Sequence, residues 1–236
     1  MTISDDTRGR IKKLGEPIAL ALGRLGLTPD ALTLVGFVIT AVGAVLLANQ
    51  LWLAGGLVVF VGAAFDMFDG ALARATGRVS RFGAFLDSVF DRMGEALVYV
   101  GLVWGTLDLG LWRPVVLAAA AMAAAFMVSY TRAKAEGLGF SSGTGMAAVG
   151  LAPREVRIVI LTLGLVAAGI LPGFPEDMDI PGARAYPLSA LALEAALGLI
   201  AILGTITVIQ RILHTRALAR QQERAQATEE ALERPS

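Results

Sequence analysis

The chain has 236 residues, 56% of them hydrophobic and only 17% charged, with a mean hydropathy of +0.67. A soluble globular chain is about 45–50% apolar and about 25% charged, so these values exclude a disordered chain, a nucleic-acid binder and an ordinary cytosolic enzyme, and point to a helical membrane protein. Twenty Lys and Arg balance twenty Asp and Glu, cysteine is absent and the one histidine is His214. That excludes disulfides, thiolate metal sites and a cysteine nucleophile, and it disfavours a His-based metal site or a Ser-His-Asp triad.

The N-terminus, MTISDDTRGRIKKLGEP, is polar, and the first apolar stretch starts too late and runs too long for a signal peptide. Ile11–Leu27 places Ile11, Leu14, Ile18, Leu22 and Leu25 at spacings of three and four, with Lys12, Lys13 and Arg24 elsewhere. This pattern predicts an amphipathic helix lying in the membrane interface, against the plainer alternative of a soluble extension. A spanning helix needs about 20 mostly apolar residues. Six such stretches follow: Leu32–Asn49, Leu51 to Ala75, Phe82–Leu107, Pro114 to Lys134, Val156–Leu171 and Pro187–Ile212. The predicted fold is all-α, a polytopic membrane protein with six transmembrane helices and an N-terminal interfacial helix. Residues 1–30 form the N-terminal segment, 31–213 the membrane domain and 214–236 a charged, fraying tail.

Arg113 and Arg184 are the only basic residues in the connections after the first, third and fifth spans. Lys and Arg concentrate on the cytoplasmic side, so both termini are expected in the cytoplasm. The loop Pro172–Pro187, with Glu176, Asp177 and Asp179, then faces outward. No internal repeat is visible.

Spans two and three carry Asp66, Asp69, Arg74, Asp87, Asp91, Arg92 and Glu95. Ionisable groups in spans are expensive and face protein or water-filled cavities. Asp66 and Asp69 are three apart, and Asp87 and Asp91 are four apart, so each pair shares one helix face. About the turn near Arg78, Asp69 lies nine residues before and Asp87 nine after. An antiparallel hairpin would bring all four to one depth. The rise from Leu51 to Asp66 is about 22 Å, towards the cytoplasmic side of a core about 30 Å thick. Four aspartates in a partly dry site need cations. A buried ion-pair network with Arg74 and Arg92 is one answer, and a divalent-metal site is the other. All-oxygen ligands suit Mg²⁺, Mn²⁺ or Ca²⁺, and four carboxylates are enough for the two metals of in-line phosphoryl displacement. Gly70 and Gly83 remove side chains on the carboxylate faces, either for a ligand or for close helix packing.

Together these residues read Asp66-x2-Asp69-Gly70-x2-Ala73-Arg74-x8-Gly83-x3-Asp87-x3-Asp91, eight fixed residues over 26 positions. The run resembles the signature of the CDP-alcohol phosphotransferase family with every position filled. The resemblance implies six spans with cytoplasmic termini. It also implies transfer of a phospho-alcohol from a CDP-linked donor to an acceptor hydroxyl, releasing CMP. By the same resemblance Asp66, Asp69 and Asp87 hold two divalent ions, Mg²⁺ or Mn²⁺, on the CDP pyrophosphate. Asp91 is the general base and a further metal ligand, and Asp69, Gly70, Ala73, Arg74 and Gly83 line the CDP site.

Gly26–Gly36 is similar to the family's approach to the first span. Val128–Gly137, Leu151–Leu161 and Ile206–Arg211 resemble the phosphatidylinositol phosphate synthase branch, so the resemblance covers residues 17–213. That branch joins CDP-diacylglycerol to inositol 1-phosphate. By position, Arg132, Arg154 and Arg211 would bind the acceptor phosphate, with Lys134 and Arg157 beside them. Pro153 and Val156 stand where the branch carries acidic residues, which loosens the acceptor assignment. Basic residues at span ends also snorkel to anionic headgroups, the plainer reading of Arg211 and Lys134. Gly137–Gly150 is Gly/Ser-rich but lacks phosphate-loop spacing.

The alternatives are a phosphatidylglycerol phosphate synthase using glycerol 3-phosphate, a cation transporter with intramembrane aspartates, and a purely structural membrane protein. The transporter is disfavoured because spans five and six hold no matching carboxylates or broken repeat. The expected partners are CDP-diacylglycerol, a phosphorylated polyol, membrane lipid and a second copy of the chain, with no nucleic acid. Dimer packing would use the Ala/Gly-rich third and fourth spans. Glu194, Glu95 and Asp108 receive no role.

Overall fold

A computed structural model of the chain describes residues 17, 19–140, 146, 149–172 and 187–232, with side chains of the last helix through 227. The described residues form six long helices and no strand: α1 (Pro29–Ala48), α2 (Trp52–Ala75), α3 (Arg81–Asp108), α4 (Trp112–Gly137), α5 (Arg154–Ile170) and α6 (Leu188–Leu232). They match the six apolar stretches. Four of them, α1, α2, α4 and α6, are long and apolar enough to cross a membrane. The other two fall short for identifiable reasons: α3 carries Asp87, Asp91, Arg92 and Glu95, and α5 has 17 residues. The last of the six does not stop where its apolar stretch ends near Ile212 but continues unbroken into the charged tail as a 45-residue helix.

Residues 19–24 are helical ahead of α1, while Ile11, Leu14 and Ile18 of the amphipathic stretch lie outside the described residues. Ala19 is buried with Leu32 and Leu72, and Leu22 packs beside them, whereas Leu25 is exposed. Gly26 at φ 87 turns the chain. Thr28 then caps α1, its hydroxyl accepting from Ala31 N at 3.2 Å, and Pro29 supplies the first helical position.

The helices neighbour one another in a closed ring, α1–α2–α5–α6–α4–α3 and back to α1. This corrects the expected hairpin, because α2 and α3 are consecutive but scarcely touch and α1 lies between them. Glycine explains the order. A Cβ on Gly62 would lie 3.0 Å from Gly36 O, and one on Gly55 would lie 3.2 Å from Gly43 O, so α1 and α2 meet backbone to backbone. Gly101 and Gly105 bring α3 closer still to the Ala44 and Leu47 backbone of α1. The ring is filled at one end by Leu47, Val59, Val98, Leu102, Leu165 and Leu197. The aspartates sit on α2 and α3 towards the other end.

The small residues of spans three and four divide between inside and outside, with Ala119, Ala120 and Ala123 of α4 exposed. Ala118, Ala121 and Ala125 of α4 and Gly94, Gly101 and Gly105 of α3 are buried within the chain, α4 against α6 and α3 against α1.

Candidate active site

Six charged side chains alternate in sign across the interior. Arg154, at the first turn of α5, places Nη1 2.7 Å from Asp66 Oδ2 and 2.6 Å from Asp91 Oδ1. The second Asp91 oxygen accepts from Arg92 Nη2 at 3.2 Å. Arg92 Nη1 lies 4.0 Å from Glu95 Oε2 and also donates to Ser129 Oγ. Arg157 then forks onto Glu95, its Nη2 reaching Oε1 at 2.9 Å and Oε2 at 3.0 Å and its Nε reaching Oε1 at 3.0 Å. The order is Asp66, Arg154, Asp91, Arg92, Glu95, Arg157. Two helices that do not pack together are thus joined at their carboxylates by a third.

Asp69, only 6% exposed, is held differently. Thr33 of α1 donates to Oδ2 at 2.5 Å, and Gly70 N donates to Oδ1 at 2.5 Å. Among the described residues Asp87 has no hydrogen-bond or ion-pair partner, and it is half-buried one turn before Asp91. A side chain on Gly70 would begin 3.2 Å from Arg74 Nη1, so the missing Cβ is what lets Arg74 fold over this face. Ala73, half-buried, adds only a methyl there. At Gly83 a Cβ would lie 3.0 Å from Ser80 Oγ and 3.2 Å from Asp30 Oδ1, and Ser80 caps α3 by accepting from Gly83 N at 2.8 Å.

The start of α5 is fixed by a clamp that orients its arginines. Leu151 N and Ala152 N both donate to Thr207 Oγ1 of α6, at 3.0 and 2.9 Å. Arg157 Nη1 donates to Ala152 O at 2.9 Å, and Arg211 Nε donates to Val149 O at 3.0 Å. Arg211 also donates to Val128 O of α4. Arg157 and Arg211 are 2% and 3% exposed. Most donors of the first and two of the second are thereby engaged inside the protein. Arg132 is exposed and pairs with Glu136 at 3.0 Å, within electrostatic reach of Arg211, and Lys134 is exposed. Of the five basic residues assigned to an acceptor phosphate, only Arg154 touches the aspartates.

The donor set fits a hard divalent cation. Of five carboxylates, Asp66, Asp91 and Glu95 contact the guanidiniums of Arg92, Arg154 and Arg157, while Asp69 and Asp87 contact none. All available ligand atoms are oxygens. Among the described residues no three carboxylates stand together as a finished metal cage, because Arg154 lies between Asp66 and Asp91.

The family model for CDP-alcohol phosphatidyltransferase matches residues 26–219. The chain belongs to the CDP-alcohol phosphatidyltransferase family. The archaetidylinositol phosphate synthase of Pyrococcus horikoshii is 34% identical over 209 residues, covering 89% of this chain and 94% of that protein. The phosphatidylinositol phosphate synthase of Mycolicibacterium smegmatis is 37% identical, covering 87% and 85%. The phosphatidylinositol phosphate synthase of Mycobacterium tuberculosis, solved with CDP-DAG bound, superposes with a TM-score of 0.70 at 31% identity, covering 86% of this chain and 94% of that one. The same enzyme solved with manganese and citrate gives 0.68 at 31% identity, with 85% and 88% covered.

In this CDP-alcohol phosphatidyltransferase several site neighbours lie outside the aspartate signature. Thr33, Ser129 and Thr207 approach from other helices, and Glu95 acquires Arg157 as its partner across 62 residues of sequence. Their only sequence signal is a polar group on an otherwise apolar helix. At the opposite end Glu194 pairs with Arg113 at 3.3 Å, and Gln50 donates to Asp108 at 2.7 Å, giving two further acids their place.

Proposed function

We propose that this family member transfers the phosphatidyl group of CDP-diacylglycerol to a hydroxyl of a phosphorylated inositol, giving phosphatidylinositol phosphate and CMP. The observation that carries the reading is the meeting of Asp66 and Asp91 on Arg154. It joins the family's eight-residue signature to the basic first turn of α5. The named activities of the relatives, and the CDP-DAG and manganese bound in the M. tuberculosis enzyme, support it.

On this reading Asp66, Asp69, Asp87 and Asp91 hold two divalent cations, Mg²⁺ or Mn²⁺, which neutralise the pyrophosphate as CMP departs. Asp91 takes the proton of the attacking hydroxyl, since a hydroxyl is a poor nucleophile at neutral pH. The hydroxyl oxygen bonds to the phosphatidyl phosphorus, and the bond to the CMP oxygen breaks. Arg92, on the second oxygen of Asp91, aims that carboxylate. Gly70, Ala73, Arg74 and Gly83 form the CDP face. Arg154 is the principal acceptor-phosphate donor, with Arg132 and Lys134 at the rim and Arg157 and Arg211 holding the frame. Six spans, an interfacial N-terminal helix and a cytoplasmic site complete the reading, so that a lipid donor keeps its acyl chains in the bilayer.

The test is CMP release from CDP-diacylglycerol with inositol 1-phosphate, glycerol 3-phosphate, free inositol and serine in turn. Turnover with inositol 1-phosphate, abolished by EDTA and restored by Mg²⁺ or Mn²⁺, is expected. Preference for another acceptor defeats the substrate assignment, and full activity in excess EDTA defeats the metal assignment.

A further inference from the structure

Arg154 is in two places at once in the scheme above. As an acceptor ligand it needs its fork turned to a phosphate, yet Nη1 is committed to Asp66 Oδ2 and Asp91 Oδ1 at 2.7 and 2.6 Å. Its Nε is buried with no hydrogen-bond partner, so the guanidinium is gripped at one corner and unsatisfied at another. A buried donor left without a partner costs free energy, so another arrangement of this side chain has something to gain.

The oxygens gripped by Nη1 are ones that a divalent cation would need. Oxygen ligands lie about 2.0–2.2 Å from such an ion, and a guanidinium nitrogen cannot remain against the same oxygens. The backbone ahead of α5 is held by Thr207, Arg157 and Arg211, so exchange at this point involves the Arg154 side chain and leaves the helix in place.

We infer that Arg154 is an exchangeable counter-ion: its guanidinium bridges Asp66 and Asp91 until a divalent cation takes those oxygens, and the displaced fork becomes the receptor for the anionic acceptor. This rests on the reading of the aspartates as the cation site. It imposes an order, with cation and donor first and the phosphorylated acceptor second. The same residue cannot serve both oxyanions of the protein and those of the acceptor. Linkage requires that cation and acceptor favour each other by one common factor.

The test is Mn²⁺ binding to the purified protein in detergent without nucleotide, followed by the EPR signal of free Mn²⁺. Arg154→Ala and Arg154→Gln should bind Mn²⁺ about 5- to 150-fold more tightly than the wild type, the usual range of a coupling between two sites. Arg154→Lys should fall between them and the wild type. Arg132→Ala removes an equal charge that does not touch the aspartates and should leave Mn²⁺ affinity unchanged. Equal tightening by Arg132→Ala would reduce the effect to bulk charge and overturn the proposal, as would unchanged or weaker binding in both neutral Arg154 variants. Asp66→Asn separates the two levels. If it binds Mn²⁺ like the wild type, the cation site itself is misassigned. If it loses Mn²⁺ while the Arg154 variants gain nothing, only the exchange is wrong. A structure of the wild type with Mn²⁺ is a second arbiter: Arg154 is expected away from both aspartates, and a retained bridge beside a bound ion would refute the exchange.

Discussion

Where α3 gives way to α4, Arg113 closes on Glu194 at 3.3 Å and Gln50 donates to Asp108 at 2.7 Å. At the other end of the bundle Asp66, Asp91 and Glu95 meet Arg92, Arg154 and Arg157, while Asp69 is held by Thr33 and Gly70 N and Asp87 meets no cation among the described residues. In the first arrangement each acid has a side-chain donor, a cation for Glu194 and a neutral amide for Asp108. The second leaves Asp69 and Asp87 without a guanidinium in contact, in a partly buried site. Carboxylates gathered in a partly buried site without matching cations favour the binding of one. The contrast can be attacked at four points.

The largest effect is expected at Asp91. Asp91→Asn keeps the shape and removes the base, so turnover should fall about 10²- to 10⁴-fold with a smaller change in CDP-diacylglycerol affinity. Steady-state CMP release checks it, and near-normal turnover would move the base elsewhere. Next is the buried fork. Arg157→Ala leaves Glu95 with only the distant Arg92 as a counter-charge and should cost up to about 3–5 kcal/mol of stability, read from thermal unfolding in detergent. Removing both charges, as in Glu95→Gln with Arg157→Met, should recover part of that loss, because an uncharged pair replaces an unmatched charge.

A smaller effect is expected at Thr33. Thr33→Val removes the hydroxyl that fixes Asp69 while keeping the shape, and should weaken Mn²⁺ binding about 10- to 100-fold, as loss of a metal ligand's own hydrogen-bond partner does. Unchanged affinity would separate Asp69 from the cation. The smallest effect on activity is expected at the end away from the aspartates. Arg113→Ala should leave CMP release intact and cost some stability, since Arg113 is 52% exposed but the Glu194 it faces only 8%. Loss of activity there would erase the distinction between the two ends.

The helices and the aspartate pairs were legible because both are local signals. Apolar length marks a span, and spacings of three and four put Asp66 beside Asp69 and Asp87 beside Asp91 on one face each. The relative placement of the two faces was not legible. The hairpin expectation assumed that consecutive helices pack together, whereas glycine contacts draw α1 between α2 and α3. Arg154 and Arg157 could be named as basic residues near the site, but their partners lie more than sixty residues away, beyond any periodicity. The length of the last helix is a separate matter. Charge marks where a helix leaves an apolar environment, and α6 goes on past that point because its later sequence is still built from good helix formers.

That continuity has a practical side. A 45-residue helix extends about 67 Å, more than twice the thickness of a hydrocarbon core. Its later turns therefore form a stiff rod growing out of a 24.6 kDa enzyme that is otherwise almost featureless to an electron microscope. A compact soluble domain spliced in helical register onto the last turns of α6 would share the bundle's orientation. Each residue added or removed at the splice would rotate that domain by about 100°, so a short series of fusions samples every azimuth around the rod.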